Sequence, residues 1–226
     1  MKKLLFIAAI ITLFSSTYTN AQDVKTQSRN IGAFNTITTT KGINVTLIEG
    51  DKEKIEIEIE NAAVTDVITE IKGRDLKVKL KNKIYKDVAV QVYVSYKTIN
   101  QINAESGSFI TSEDVVKADL LTVKAGSGAS IVLDVDVRTL KASSVSSKIE
   151  LVGEVDFQEV SVVTGGKYIA DKLISREAII KTGTGGVAWV NATEDLDMKT
   201  TTGGKIIYNG NPAKIKSKGN IQKDSE

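Results

Sequence analysis

An apolar residue followed five positions later by a glycine or its substitute recurs seven times in this chain. That recurrence constrains the fold more than any single residue does. The pairs are Ile37 with Gly42, Ile102 with Gly107, Val123 with Gly128, Leu140 with Val145, Val160 with Gly165, Ile180 with Gly185 and Met198 with Gly203. From Ile102 onward the steps between pairs are 21, 17, 20, 20 and 18 residues, the loose repeat of a solenoid whose coils are short strands bent at tight corners. Two positions after each apolar residue stand Thr39, Ala104, Ala125, Ala142, Val162, Thr182 and Thr200, the period-two spacing of one strand face. A second such run follows each corner, with Val45, Ile110, Ile131, Tyr168 and Ile206 at one depth. The spacing predicts an all-β fold, a parallel β-helix or solenoid of about 18–21-residue coils, in which Ile37 to Leu47 joins the coils that start at Ile102.

The slot before the turn glycine holds a hydroxyl in six coils of seven: Ser106, Ser127, Ser144, Thr164, Thr184 and Thr202, with Lys41 the exception. Stacked hydroxyls can bond to one another and to the turn backbone, so this column reads as a polar ladder that fills the corner and not as a set of catalytic serines. Val145 interrupts the glycine column, and the Ser143, Ser144, Ser146, Ser147 run around it marks a coil that turns differently.

The 50 or so residues between the first two coils read as an antiparallel insertion, about residues 50–98. Ile55, Ile57 and Ile59 alternate with Glu56, Glu58 and Glu60, and Leu76, Val78 and Leu80 alternate with Lys77, Lys79 and Lys81. Opposite charge makes these two rows natural mates, with cross-strand pairs worth roughly 0.2–1 kcal/mol each. A third strand runs from Val88 to Tyr96, and residues 61–66 carry a short helical-turn signal. Residues 209–226, polar and lysine-rich with the single proline Pro212, read as a closing cap and frayed tail.

The first 21 residues have a separate logic. Lys2 and Lys3 precede an apolar run from Leu4 to Phe14, and Thr19, Asn20 and Ala21 supply a small-residue cleavage site, so a signal peptide cut after Ala21 is expected. Eleven apolar residues are too few to span a bilayer. No transmembrane anchor is expected in the mature chain, residues 22–226, which reads as one domain. With no cysteine to acylate, the expected location is periplasmic, outer-surface or secreted. Losing Lys2 and Lys3 leaves 28 basic side chains against 28 acidic ones, a balance that gives nucleic acid no purchase as a partner.

The string Lys41, Gly42, Ile43, Asn44, Val45 followed by Glu49 and Gly50, together with the Ser106-Gly107-Ser108 and Gly126-Ser127-Gly128 triplets, resembles the head GIN domain family of auto-transporter adhesins from the Bacteroidetes envelope. The resemblance covers nearly all of the mature chain. It implies a β-helix similar in shape to pectin lyases but without their catalytic residues, and it implies adhesion in place of catalysis. It carries over no ligand residues.

The residues themselves agree on chemistry. The chain has no histidine and no cysteine, which removes a Ser-His-Asp triad, a Cys-His pair and an imidazole zinc site. No cofactor, metal or catalytic residue is expected. Carboxylates remain, and the best group is Asp134 and Asp136 with Glu154 and Asp156 one coil away, although Val135 and Val137 alternate with them as core residues beneath a solvated face would. Glu113 with Asp114 is a weaker pair, and the glycines Gly183, Gly185 and Gly186 lack the lysine-hydroxyl pair of a phosphate loop. The slot just after each apolar anchor holds Thr38, Asn103, Lys124, Lys141, Ser161, Lys181 and Lys199. Lys124, Lys141, Lys181 and Lys199 are the candidate ligand-binding residues, a basic strip suited to an acidic polysaccharide or another envelope component. The plainer reading is a row of lysines that blunts unwanted strand pairing. Three functions are in play: an exported non-enzymatic solenoid that binds a glycan or envelope partner, a polysaccharide lyase or glycoside hydrolase on a β-helix, and an architectural envelope protein.

Overall fold

The structure is a computed structural model that describes residues 24–224; the signal segment lies outside the described residues. The strands are β1 (Lys25–Asn30), β2 (Thr36–Thr39), β3 (Asn44–Glu49), β4 (Lys54–Glu60), β5 (Val67–Lys72), β6 (Asp75–Leu80), β7 (Ala89–Tyr96), β8 (Gln101–Ala104) and β9 (Phe109–Ser112). They continue as β10 (Val116–Gly126), β11 (Ser130–Val145), β12 (Lys148–Val163), β13 (Lys167–Thr182), β14 (Val187–Thr200), β15 (Lys205–Asn209), β16 (Lys214–Lys218) and β17 (Ile221–Lys223). A one-turn 3-10 helix, Val64–Asp66, lies inside the 61–66 segment. From β10 to β14 each long strand pairs in parallel with the next, and the coils lie about 19 residues apart, a β-solenoid as the spacing requires.

The first coil takes the place read for it. Thr36–Thr39 lies parallel to Gln101–Ala104 with Ile37 opposite Ile102, and β3 lies parallel to β9. Its other side is also covered in parallel, by β6 on β2 and β7 on β3. The insertion is therefore a further coil, with antiparallel pairing confined to its outer rim: β5 on β6, β4 on β7 and β1 on β4.

The expected β4 and β6 pair does not form, since β4 sits between β1 and β7 while β6 sits between β5 and β2. The two apolar rows serve different sides of the corner. Burying Ile55, Ile57 and Ile59, each fully enclosed, is worth about 1.5–3 kcal/mol per side chain, which outweighs the charge pairing that the other arrangement offers. At the opposite end, residues read as a fray are paired strands: β16 lies on β14 and β17 on β15. Lys214, Lys216 and Lys218 then line the last open edge, where charge discourages a further strand from adding.

The corners are held by backbone, not by a hydroxyl ladder. Ser106, Ser127, Thr164, Thr184 and Thr202 have φ between 41° and 54°, and the glycine after each is also left-handed, so the two residues form a tight turn of the type I′ family. That geometry aims the glycine N–H along the solenoid axis. Gly42 donates to the Ser106 carbonyl at 3.0 Å, Gly107 to Ser127 at 3.0 Å, Gly128 to Ser146 at 2.7 Å, Gly165 to Thr184 at 3.0 Å and Gly185 to Thr202 at 3.1 Å. The hydroxyls of these residues stay exposed.

The coil containing Val145 departs as expected, but its register also corrects the pairing of Leu140 with Val145. Ala142, not Leu140, stands between Val123 and Val160. The turn there loses one residue: Ser146 is left-handed at φ 50° and no glycine follows it. Ser146 Oγ donates to the Thr164 carbonyl at 2.9 Å in place of the missing N–H, and Ser147 Oγ donates to the Ala125 carbonyl at 2.7 Å. Just past three later turns, at Gly166, Gly186 and Gly204, the chain needs glycine for space. A Cβ on Gly186 would lie 2.3 Å from the Val162 carbonyl oxygen.

Two predictions follow from this packing. Val123 is fully buried and Lys124 is exposed, so Val123→Asp should cost several kcal/mol through an unpaired buried charge. Lys124→Gln should leave the melting temperature within about 2 °C of the parent; thermal unfolding of both variants measures the contrast. The second concerns Asp66, whose buried carboxylate lies 2.5 Å from Lys83 Nζ and 3.9 Å from Lys81 Nζ. The Lys83 hydrogen bond holds its pKa below the ordinary carboxylate range. The stabilisation this provides is complete above the unfolded-state pKa of about 3.9 and is lost as pH falls through the lower folded value. Hydrogen exchange should show β5 and β6 opening before β11 to β14 as pH drops below about 4, and Asp66→Asn should remove that pH dependence.

Candidate functional site

Outward residues on the strand before each corner form columns along the axis, because the coils stack in register. One column runs Lys77, Thr38, Asn103, Lys124, Ser143, Ser161, Lys181, Lys199 and Lys218 from β6 to β16. From β6 to β16 it contains no carboxylate, Glu70 on β5 standing opposite Lys77 at its end, and at about 4.8 Å per strand it extends roughly 38 Å. Three of the four lysines singled out from sequence lie in it. Lys141 does not: it stands opposite Thr122 and Glu159, one column over, because the anchor of its coil is Ala142 and not Leu140. Lys77 and Lys218 belong to the column although neither sits after an apolar-to-glycine pair, so the repeat gave no signal for them.

Lys181, Lys199 and Lys218 are direct register neighbours on consecutive strands. Glu159 approaches Lys181 at 3.9 Å, both side chains being about half exposed, a contact of little energy. Among the described residues Lys124, Lys199 and Lys218 take part in no ion pair. Where the column is lined by small side chains the surface dips into a shallow, open concavity of about 480 Å³, bordered by Lys124, Lys141 and Lys181 with Ser143, Ser161 and Glu159.

The carboxylate group expected as the alternative is split up. Asp136 and Glu154 are register neighbours, but Asp134 lies opposite Val152, and Asp156 belongs to a row of alternating charge at the bend of each coil. There Arg138 lies 3.6 Å from Asp119, and Arg176 lies 3.8 Å from Asp156 and 3.0 Å from Glu194. Two parallel bonds from Arg176 hold Glu194 below its ordinary range. Val135 and Val137 are buried beneath. Among the described residues no group of three or more His, Cys, Asp or Glu side chains is placed to hold a metal ion.

The core holds one polar arrangement that the sequence pattern did not reveal. Tyr168 is fully enclosed and donates from Oη to Gln158 Oε1 at 2.8 Å; Gln158 Nε2 donates to Ser175 Oγ at 3.0 Å, which donates to the Asn191 carbonyl at 2.6 Å. Burial pushes the Tyr168 phenol far above its usual pKa. Each donor has a named acceptor and the chain of bonds reaches no surface, so its role is structural.

A stack of parallel coils closed by two-residue turns and carrying flat outward columns defines a β-solenoid. The chain belongs to the family described as "Putative auto-transporter adhesin, head GIN domain", which matches residues 33–212. Among solved structures it is similar to a putative adhesin from Bacteroides fragilis, with TM-score 0.79 and 17% identity over 90% of this chain and 94% of that one. A putative adhesin from Parabacteroides merdae matches with TM-score 0.69 and 21% identity over 91% and 98%. A protein from Parabacteroides distasonis described as a putative lipid binding protein matches with TM-score 0.71 and 19% identity over 91% and 98%. At such identities the likeness carries the fold. No curated protein sequence matches the chain significantly.

Tyr168→Phe should leave Gln158 Oε1 buried without a donor and cost about 1–3 kcal/mol. Chemical denaturation at neutral pH measures it, and the variant should keep the parent's far-ultraviolet spectrum.

Proposed function

We propose that this protein is an exported, non-enzymatic, adhesin-like solenoid that holds an extended acidic polysaccharide along the lysine column. The observation that carries the reading is the run Lys181, Lys199, Lys218, three like charges on consecutive strands with no carboxylate as a register neighbour in the column. A fold does not need such a row, since like charges side by side repel, and an anionic polymer relieves that repulsion. The hydroxyl and amide groups between the lysines, Thr38, Asn103, Ser143 and Ser161, can bond sugar hydroxyls. The concavity beside Lys124 and Lys181 can seat a carboxylate or sulfate group. Family membership supports adhesion and an exported or surface location.

The test compares Lys124, Lys181, Lys199 and Lys218 all changed to Gln with Lys141→Gln alone. The fourfold variant should keep its melting temperature and lose at least tenfold in affinity for a uronate-rich or sulfated polysaccharide at low salt. Lys141→Gln should lose less than about threefold. Binding by the parent should weaken steeply with added salt, because exposed charges are screened beyond about 8 Å at physiological ionic strength. Equal binding by parent and fourfold variant, or no binding by the parent at low salt, would leave an architectural role as the better account.

A further inference from the structure

The strands after each corner present a second set of outward side chains, and on three of them the surface turns apolar. Ile169 on β13, Trp189 on β14 and Ile207 on β15 are register neighbours, each partly exposed. They form a floor about 10 Å across, bounded at its ends by Glu150, which is engaged with Lys148 at 2.7 Å, and by Gln222. Trp189 is the chain's single tryptophan. The buried side-chain polar atoms left without a partner are the hydroxyls of Thr39, Ser112 and Thr182, so the indole N–H of Trp189, unpaired among the described residues, is open to solvent. No ammonium covers the indole: among the described residues the cation over an aromatic ring is Lys83, over Tyr85.

Polar groups stand on both sides of this floor and differ in kind. Two residues before it, Lys167 and Lys205 flank Val187 on the neighbouring strands, and neither is in an ion pair among the described residues. Two residues after Trp189 and Ile207 stand Asn191 and Asn209. Asn191 Nδ2 donates to the Asp171 carbonyl at 3.3 Å, which leaves Asn191 Oδ1 as an acceptor. The Asn209 amide is unpaired among the described residues.

We infer that this patch is a second glycan site, distinct from the lysine column before the corner, and that it seats a uronic acid unit. The C–H face of a sugar ring carries slight positive charge and suits the negative face of an indole. Lys167 and Lys205 lie about 10 Å apart across Val187, and their side chains are long enough to converge on one carboxylate. The sugar hydroxyls then fall at the asparagine end. Asp171, in the register break that follows Ala170, lies toward that end, where it accepts from hydroxyls and repels a carboxylate, so the ring has one favoured direction. A wholly apolar occupant is disfavoured. It would take water from the indole N–H and the asparagine amides and return no hydrogen bond, at about 1–3 kcal/mol for each group and more for the two ammonium groups. A sugar acid returns a partner to every one of them.

The test reads Trp189 emission in the variant with Lys124, Lys181, Lys199 and Lys218 all changed to Gln, in which the lysine column no longer competes. Tetragalacturonate should shift the emission saturably, and neutral tetragalactose should bind at least about tenfold more weakly. Lys167→Gln with Lys205→Gln should bring the two sugars to within about twofold of each other while both still shift the emission. Trp189→Leu should keep the melting temperature and abolish calorimetric binding in the same background. No emission response to either sugar overturns the inference, as does a preference for the acid that survives the loss of both lysines. A response present in the parent and absent from the fourfold variant also overturns it, by placing the ligand on the lysine column alone. Emission that responds only to dilution of the protein or to anionic vesicles does the same, by giving the patch a different occupant. A saturable response in the fourfold variant upholds this site even if the lysine column itself proves to bind nothing.

Discussion

The hydrogen bond from each turn glycine to the carbonyl of the left-handed residue one coil on is the contact on which the architecture rests. A coil of about 19 residues cannot bury its inner side alone, so it is stable only when its neighbours match it at every level. The long strands supply that match along their length, but a strand ladder ends wherever the chain must reverse. The two left-handed residues carry it through the reversal by turning one donor and one acceptor along the axis. Where the glycine is missing, Ser146 supplies a hydroxyl donor instead, so the ladder persists although the turn is a residue shorter.

Regular stacking also creates the surfaces. A residue repeated once per coil becomes a column, so modest sequence bias turns into a long single-character stripe. Before the corner that stripe is basic and punctuated by hydroxyls; after it, Ile169, Trp189 and Ile207 stand in one column on consecutive strands. The bend of each coil is different, because Arg138 and Arg176 alternate with Asp119, Asp156 and Glu194 and cancel.

Both ends of the stack need closing for the same reason. At the first end Arg29, on the outermost strand β1, donates to the Val64 and Val67 carbonyls at 2.9 and 2.8 Å and to Thr69 Oγ1 at 3.0 Å, tying β1 to the β5 side of the rim. At the far end charge does the work, through the lysines of β16.

The sequence by itself determined the solenoid, the joining of Ile37 to the coils at Ile102, the inward columns apart from the place of Leu140, and the irregular turn at Val145. Each of these follows from local spacing, because strand alternation and two-residue turns are written in contiguous residues. Tertiary structure alone decided which strand pairs with which in the insertion, since Ile55–Ile59 and Leu76–Leu80 are equally good apolar rows and only the shape of the shared core assigns them to different sides. It also decided the membership of the lysine column. Register makes Ala142, not Leu140, the anchor of its coil and so puts Lys141 in the next column, while Lys77 and Lys218 enter from strands that carry no repeat signature. The Tyr168, Gln158 and Ser175 chain of bonds was out of reach of the pattern for the same physical reason: its partners come from separate coils, and only their packing across the core brings donor to acceptor.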